Sequence, residues 1–254
     1  MMQETHLREH TATRETLLDE LSMGKSSSLE KYQQLFVGGS SLLELFKYEL
    51  LIGLLSSIPG ALGFLLRKTF YKFLFAEMDR GSVIGSHVTL RCPVRIGLGK
   101  NVFIDNNVVL DAKGVDSQIA LGDSVLVGKD TILSCVSAKI TLGEDVSIGP
   151  YCFIRAGLAP VKIGSLVTIG SHTAIVSGNP SYERTDIPMK KQVGSTHGIT
   201  VGDDVWMGVG VRIVDGVTIG SGSVIGAGAV VLEDIPDYAI AAGVPARIIG
   251  YRSQ

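Results

Sequence analysis

The stretch "VGDDVWMGVGVRIVDGVTIGSGSVIGAGAVVLED", from Val201 to Asp234, repeats a pattern every six residues. Apolar side chains open the six hexads, at Val201, Met207, Ile213, Ile219, Ile225 and Val231. Glycine often follows the opener, and a small or β-branched residue stands four positions after it. A period of six fits neither the 3.6-residue helix nor the heptad of a coiled coil. It fits a short strand followed by a tight corner, where glycine relieves a positive φ angle.

The same repeat extends back to about residue 81, in groups of three hexads. The earlier hexads open at Leu98, Ile104, Leu110, Leu121, Val127, Leu133, Leu142, Ile148, Ile154, Ile163, Ile169 and Ile175. Three hexads form one triangular coil, and coils stacked at the ~4.8 Å strand spacing form a solenoid. Extra residues at 116–120, 139–141, 160–162 and 181–200 fall between complete coils, so we expect them at one corner. The repeat predicts an all-β solenoid over residues 81–234, with a projecting loop at 181–200 and a C-terminal cap or tail at 235–254.

The residues before the repeat divide into two segments. Residues 1–30 are polar and are predicted to be mobile. Residues 31–80 are largely apolar and are broken by Pro59-Gly60, which predicts a helical hairpin packed on the solenoid or on a neighbouring subunit. The uncharged run from Leu51 to Leu66 is shorter than the ~20 residues that a membrane span needs. Peripheral membrane contact through residues 42–75 is the alternative, favoured by Arg67, Lys68 and Lys72.

Composition narrows the class of function. The formal net charge is −2, so no basic surplus indicates a nucleic-acid partner. Cys92, Cys135 and Cys152 lie inside apolar hexads without a CxxC pairing, so they are predicted to be small buried hydrophobic residues. We expect neither a metal site nor a disulfide framework. The N-terminus lacks the apolar region of a signal peptide, which predicts a cytoplasmic protein, with membrane association left open.

These motifs resemble the hexapeptide-repeat acyltransferases, which fold as left-handed parallel β-helices. The resemblance covers residues 81–251 and is strongest in "GDDVWMGVGVRIVDGVTIG". It is closest to the bacterial O-acetyltransferases that modify sugars and polysaccharides. The resemblance implies a homotrimer with active sites in the clefts between neighbouring β-helices. It also implies acetyl-CoA or another acyl thioester as donor and a small molecule or sugar as acceptor, with an acyl carrier protein as a further partner to consider.

The sequence departs from this family at the site. The family's general base is a histidine at the last position of the hexad before the long loop, and here that position holds Pro180 in "IVSGNP". Tyr151 stands where these enzymes tend to have an asparagine, and Glu233 stands where a lysine meets the CoA phosphate. A carboxylate there would repel the phosphate. The predicted substrate-cleft residues are Tyr151, Asn179, Pro180, Tyr182 and Asp186. The predicted cofactor-binding residues are Trp206, Gly208, Gly226, Ala227, Gly228 and Arg247.

A relocated base is the simplest way to keep an active site. His197, at the return of the loop, and His172, just before it, are the two candidates, because imidazole exchanges protons near neutral pH. Three functions stay open from the sequence. They are an acyltransferase acting on a sugar or glycoconjugate, a repurposed enzyme using another donor or chemistry, and a noncatalytic trimeric scaffold.

Overall fold

The computed structural model describes residues 27–114, 116–179, 181–192, 194 and 196–253. Pro180 and nearly all of the polar segment predicted at residues 1–30 lie outside them. The hexads form short strands, numbered here in chain order: β1 (Glu77–Met78), β2 (Val83–Ile84), β3 (Thr89–Arg91), β4 (Ile96–Leu98), β5 (Phe103–Ile104), β6 (Val109–Lys113), β7 (Gln118–Leu121), β8 (Leu126–Val127), β9 (Ile132–Val136), β10 (Lys139–Leu142), β11 (Ser147–Ile148), β12 (Phe153–Gly157), β13 (Val161–Ile163), β14 (Thr168–Ile169), β15 (Ala174–Ser177), β16 (Ile199–Val201), β17 (Trp206–Met207), β18 (Arg212–Ile213), β19 (Thr218–Ile219), β20 (Val224–Ile225), β21 (Val230–Val231), β22 (Ala239–Gly243) and β23 (Ala246–Tyr251).

Every third strand of the repeat joins the same sheet, which gives the solenoid three faces. The first sheet has the order β1-β4-β7-β10-β13-β16-β19, the second β2-β5-β8-β11-β14-β17-β20-β22-β23, and the third β3-β6-β9-β12-β15-β18-β21. Strands of successive coils pair in parallel, whereas β22 and β23 pair antiparallel at one end. The predicted parallel β-solenoid is therefore confirmed.

The hexad openers form the core of the solenoid. In the second sheet, Ile148 pairs in register with Val127 on one side and Ile169 on the other, and all three are buried. Burying each such side chain contributes ~1.5–3 kcal/mol. The three cysteines are free and buried, as the sequence predicted. Burial raises the pKa of the Cys135 thiol to about 12, which keeps it protonated and unreactive.

Two of the three corners of the coil matter for the site. The second corner, between the second and third sheets, carries a column of residues with positive φ: His87, Asn107, Asp130, Tyr151, His172, Gly210 and Gly228. The third corner lies between the third and first sheets, and the longest insertion leaves the solenoid there between β15 and β16. Most of the other extra residues predicted at this corner instead lie within β7, β10 and β13, so that part of the prediction is wrong. Gly178, with φ +88°, begins it, and a Cβ at this position would lie 2.0 Å from the Gly157 carbonyl oxygen. The loop must therefore start on glycine.

Three helices precede the solenoid in the described residues: α1 (Ser28–Tyr32), α2 (Leu42–Leu55) and α3 (Gly60–Phe70). A π-helical turn follows α1 at Gln33–Val37, and 3₁₀ turns lie at Tyr71–Phe73, Pro93–Arg95 and Met189–Lys191. Ser27 and Glu30 form a capping box on α1, and the Ser41 side chain caps α2. Helix α2 ends at Leu55 and α3 begins at Gly60, so residues 56–59 are not helical. Proline and glycine at Pro59-Gly60 oppose a continuous helix.

Helices α2 and α3 lie over the first coil and cover its open end. Tyr48 Oη donates a hydrogen bond to the Leu90 carbonyl oxygen at 2.7 Å. Arg67 Nε donates to the Ile84 carbonyl oxygen at 2.9 Å, and its Nη1 donates at 2.8 Å to the carbonyl oxygens of Leu55 and Ile58. Arg67 is 1% exposed, so the prediction that it flanks a membrane contact is wrong. Its guanidinium instead joins the end of α2 to the first strand of the second sheet.

The C-terminal strand pair extends the second sheet at the opposite end of the solenoid. Strand β23 folds back antiparallel on β22, which is the last strand to join the second sheet from the coil side. The chain then continues to Arg252, whose Nη1 donates to Asp204 Oδ2 at 2.8 Å and to the Gly222 carbonyl oxygen at 2.9 Å. The strand pair thus continues the second sheet past the last coil, whereas the first and third sheets end at β19 and β21.

Replacing Arg67 with methionine should loosen the helical cover. Arg67→Met keeps an unbranched apolar stem but leaves the carbonyl oxygens of Leu55, Ile58 and Ile84 without this donor. Because a buried unpaired acceptor costs ~1–3 kcal/mol, we expect a loss of about 3 kcal/mol or more in the free energy of unfolding. Urea denaturation followed by circular dichroism measures this. The exposed neighbour provides the control, since Lys68→Met should change stability by less than about 0.5 kcal/mol. Equal stability of the two variants would contradict the assigned role.

Candidate functional site

A stack of side chains stands on the second corner of the solenoid. The rings of Tyr151 and His172, which occupy the same corner position in successive coils, are parallel to within 6°, and their centroids are 5.1 Å apart. Lys129 Nζ lies 5.6 Å from the centroid of the Tyr151 ring. Stacked rings and a cation above a ring attract each other beyond the area that they bury. The stack fixes where the His172 imidazole points along the corner.

The backbone of His172 is held from both neighbouring coils. Its amide donates to the Pro150 carbonyl oxygen at 3.0 Å. Its carbonyl oxygen accepts a hydrogen bond from Arg212 Nη1 at 2.6 Å, and Arg212 also donates to the Gly210 carbonyl oxygen at 2.8 Å. The residue itself is exposed, so the ring is positioned by the fold yet accessible to solvent. A side chain in this setting can bind a ligand or exchange a proton with one.

In the two coils after His172, the equivalent position at the second corner is glycine and therefore has no side chain. Gly210 and Gly228 occupy the corresponding positions, with φ angles of +77° and +71°. A Cβ on Gly210 would meet only backbone atoms of Gly228 at 4.0 Å, and a Cβ on Gly228 would meet nothing within 4 Å. We call this open stretch, formed by Gly210, Ala227 and Gly228 above His172, the corner shelf. It is exposed at Ala227 and Gly228 and could accommodate a thin ligand.

The predicted cofactor-binding glycines fall into two kinds. A Cβ on Gly208 would lie 2.6 Å from the Ala227 amide nitrogen, and one on Gly226 would lie 2.8 Å from the Ala242 Cβ. Coil stacking alone therefore demands glycine at both positions, and their role in binding a cofactor stays a prediction. Trp206 lies on the outer face of β17 between Thr168 and Val224, and is 57% exposed.

Arg247 and Glu233 face each other near the C-terminal end. Arg247 Nη1 lies 3.8 Å from Glu233 Oε1, and both side chains are mostly exposed. The sequence predicted opposite effects for these residues, because Arg247 was predicted to bind the cofactor and Glu233 to repel its phosphate. Their contact brings the two effects to one place, and the carboxylate offsets the positive charge that a phosphate would need.

The loop at the third corner is organised by Gln192, which is buried. Its Nε2 donates to the carbonyl oxygens of Arg184 and Ile187 at 2.6 and 3.1 Å, and its Oε1 accepts from the Arg184 amide at 3.0 Å. Arg184 also forms a bidentate ion pair with Asp186, and this guanidinium lowers the pKa of the Asp186 carboxyl. Asp186, predicted as a substrate-cleft residue, is thus already paired within the loop.

The remaining predicted loop residues lie at the surface. Asn179 and Tyr182 are exposed, and Tyr182 is 74% exposed. Their role in the substrate cleft stays a prediction, as does the consequence of Pro180, which lies outside the described residues.

His197 lies where the loop returns to the third corner. Asp215 Oδ2 accepts from the His197 amide at 3.0 Å, and Oδ1 accepts from the Gly198 amide at 2.9 Å. The carboxylate fixes the backbone at this point, while the His197 side chain is exposed. His172 and His197 therefore occupy different corners of one chain, and the fold of a single chain does not bring them together.

Sequence reasoning missed four residues that organise the site: Lys129, Gln192, Arg212 and Asp215. A signal existed for the corner stack, because Tyr151 and His172 each stand fourth in their hexads, "IGPY" and "IGSH". Residues at one hexad position of successive coils must be neighbours. The loop offers no such signal, since the period is lost there, and Gln192 could not have been singled out.

Part of the repeat matches a known family model. The family model described as "Bacterial transferase hexapeptide (six repeats)" matches residues 198–233. Candidate acetyltransferase YJL218W of Saccharomyces cerevisiae is 37% identical over 51 residues, which is 20% of this chain and 26% of the yeast protein. The match thus spans about a quarter of the length of this curated relative.

Solved structures share the architecture. The polySia-specific acetyltransferase NeuO aligns with a TM-score of 0.52 at 23% identity, over 70% of this chain and 87% of NeuO. A single-site mutant of AntD, an N-acyltransferase from Bacillus cereus in complex with dTDP and coenzyme A, also aligns with a TM-score of 0.52. Its identity is 20%, over 79% of this chain and 92% of AntD. At these identities the likeness establishes the fold, and the predicted resemblance to hexapeptide-repeat proteins is confirmed.

Removing the Gln192 side chain should open the loop. Gln192→Ala deletes three hydrogen bonds that join residues 184, 187 and 192, each worth ~1 kcal/mol. We expect trypsin to cleave after Arg184 roughly a hundred-fold faster than in the unchanged protein, because a loss of ~3 kcal/mol makes the open loop that much more populated. Limited proteolysis followed by mass spectrometry measures the rate. Met189→Ala, an exposed change in the same loop, is the control and should leave cleavage unchanged. Equal rates in both variants would show that Gln192 does not hold the loop.

Proposed function

We propose that the protein is an acyltransferase that moves an acyl group from acyl-CoA to a hydroxyl of a sugar or glycoconjugate. The observation that carries the proposal is the corner shelf above His172, because a fixed imidazole borders an open strip of backbone beside Trp206. Acyltransferases with this fold, one of them holding coenzyme A, support the donor class. We further propose a homotrimer in the cytoplasm, with each site in a cleft between two β-helices.

The shelf would hold the pantetheine arm of the donor along Gly210, Ala227 and Gly228. Glycine and alanine leave room for a thin chain, and Trp206 would border it on the second sheet. His172 would then stand at the thioester end of the arm, one coil below Gly210. A donor held in one orientation reacts faster because its entropy is lost on binding rather than in the reaction.

We assign the general base to His172. Its imidazole would take the proton from the acceptor hydroxyl while the oxygen forms a bond to the thioester carbon. The tetrahedral adduct would collapse as the carbon–sulfur bond breaks, and the CoA thiolate would leave with the proton that His172 had taken from the hydroxyl. The stack with Tyr151 and the bond from Arg212 to the His172 carbonyl oxygen hold the base in place during these steps. His197 is the alternative base, at the third corner, where the loop returns to the solenoid.

Separate substitutions of His172 and His197 distinguish which of them is the general base. His172→Ala should lower kcat by ~10²–10⁴-fold, because the hydroxyl loses its proton acceptor, while the affinity for acetyl-CoA changes little. Thiol release from acetyl-CoA over a panel of sugars measures turnover, and calorimetry measures binding. His87→Ala provides a matched control, since His87 is exposed on the same corner column several coils away.

The other outcomes are equally informative. Loss of turnover in His197→Ala but not in His172→Ala would assign the base to the loop. Absence of acetyl-CoA binding by the unchanged protein would contradict the proposal and leave the noncatalytic scaffold or a different donor.

A second candidate function keeps the cleft but changes the donor. The contact between Glu233 and Arg247 favours it, because the carboxylate opposes the phosphates of free CoA at the place where Arg247 would bind them. A thioester carried on an acyl carrier protein would bring its phosphopantetheine arm without the nucleotide phosphates of CoA. The corner shelf would serve such an arm equally well.

Reversing the charge at Glu233 tests the donor. Under the CoA proposal, Glu233→Lys should tighten acetyl-CoA binding about ten-fold, because it replaces repulsion of the phosphates with attraction. Isothermal titration calorimetry measures the Kd. Glu183→Lys makes the same charge change on the exposed loop and should leave the Kd unchanged. If the Kd stays the same in both variants, the CoA phosphates do not lie near residue 233, and the argument from Glu233 for a carrier-protein donor fails.

A further inference from the structure

We propose that the outer face of the helical hairpin binds the surface of an anionic lipid bilayer. The hairpin face is formed by the outward side chains of α2 and α3, and its main members are Leu42, Phe46, Leu50, Leu54, Leu62 and Leu65. This inference does not depend on the proposed chemistry, since it rests on the N-terminal helices alone.

Apolar side chains form a continuous row on the outside of α2. Leu42, Phe46, Leu50 and Leu54 recur at four-residue spacing, which places them along one side of a helix, and they are 44–68% exposed. On α3, Leu62 and Leu65 are 61% and 63% exposed. Isolated exposed leucines are ordinary, but a contiguous apolar row marks a surface that binds something.

The fold holds this row rigidly outward. Tyr48 and Leu55 are the buried residues of α2, and Gly63 and Arg67 those of α3. Tyr48 and Arg67 bond to backbone oxygens of the first coil, so the inner sides of both helices face the solenoid. The opposite sides must therefore point away from the end of the solenoid. The hairpin presents its apolar row without any rearrangement of the chain.

Charge on the hairpin is arranged for a negatively charged partner. Apart from the buried Arg67, residues 42–73 contain three basic and two acidic side chains, although the whole chain has a net charge of −2. Both acids contact other parts of the chain. The Glu44 carboxylate lies against Gly39, and Glu49 accepts a hydrogen bond from the Tyr32 hydroxyl. Lys68 and Lys72 are exposed, and Lys72 Nζ lies 5.1 Å from the centroid of the Phe73 ring.

This combination favours a lipid surface over a second protein chain. Lysine is depleted in the cores of protein interfaces, but it accompanies leucine and phenylalanine on helices that lie in the bilayer interface. Its long stem can pack beside apolar groups while the ammonium reaches the lipid phosphates. Within the described residues, no helix combines the length and apolar character needed to cross a membrane. The hairpin therefore fits flat contact with one leaflet.

Vesicle binding by the full chain tests the proposal. We expect cosedimentation with vesicles containing phosphatidylcholine and about 30% phosphatidylglycerol, and much weaker binding to phosphatidylcholine alone or at high salt. Phe46→Glu and Leu50→Glu should each reduce partitioning onto the vesicles about ten-fold or more. Each replaces an apolar side chain that would enter the bilayer with a carboxylate that the anionic lipids repel. Ile249→Glu is the matched control, since Ile249 is 70% exposed on β23 at the opposite end, and it should bind normally.

A second measurement does not depend on loss of binding. Phe46→Trp in a Trp206→Phe background carries its only tryptophan on the hairpin face, and its emission should shift to the blue with anionic vesicles. An unshifted spectrum, or sedimentation equal in Leu50→Glu and Ile249→Glu, would overturn the proposal. Light scattering after size exclusion gives the competing outcome: if Leu50→Glu lowers the oligomeric state, the hairpin face is a contact between copies of this chain.

Discussion

Backbone hydrogen bonding between successive coils is the constraint on which the rest of the molecule depends. Each strand bonds to the same hexad position of the coil before it and the coil after it, so inward side chains stack on inward ones and corners stack on corners. Residues at the same hexad position of successive coils are therefore neighbours and form a column. The Tyr151–His172 stack and the glycines beyond it both follow from this register.

The repeat made most of the solenoid predictable, because a period of six leaves few alternatives for where an aliphatic side chain can point. The core residues, the parallel sheets and the buried cysteines followed from counting. The site was harder to predict, because it depends on side-chain directions that the period of six does not determine. Gly208 and Gly226 were assigned to a ligand, yet the adjacent coil already excludes any side chain there. The contact between Glu233 and Arg247 joins the last coil to β23, and no local pattern relates them.

The N-terminal helices show a different limit of sequence reasoning. Pro59-Gly60 predicted the break between α2 and α3. Helix α2 is apolar on nearly all sides, however, so no single apolar face indicated which side covers the solenoid. Arg67 and Lys68 look equivalent in the sequence, although one is buried and the other exposed. The difference arises because the carbonyl oxygens of Leu55, Ile58 and Ile84 converge where only a branched cation can serve all three. Such convergence exists only in the folded chain.

The column of residues at the second corner also fixes the distance between the first coil and His172. From His87 in the first coil to His172, the column rises through Asn107, Asp130 and Tyr151, one strand spacing at each step. Four steps of ~4.8 Å give about 19 Å, and a helix laid across the end adds ~10 Å. A stack of parallel coils cannot shorten or lengthen this rise without breaking its hydrogen bonds. The imidazole therefore stands at a fixed elevation above the plane of the hairpin face, and any acceptor anchored in that plane must be long enough to reach it.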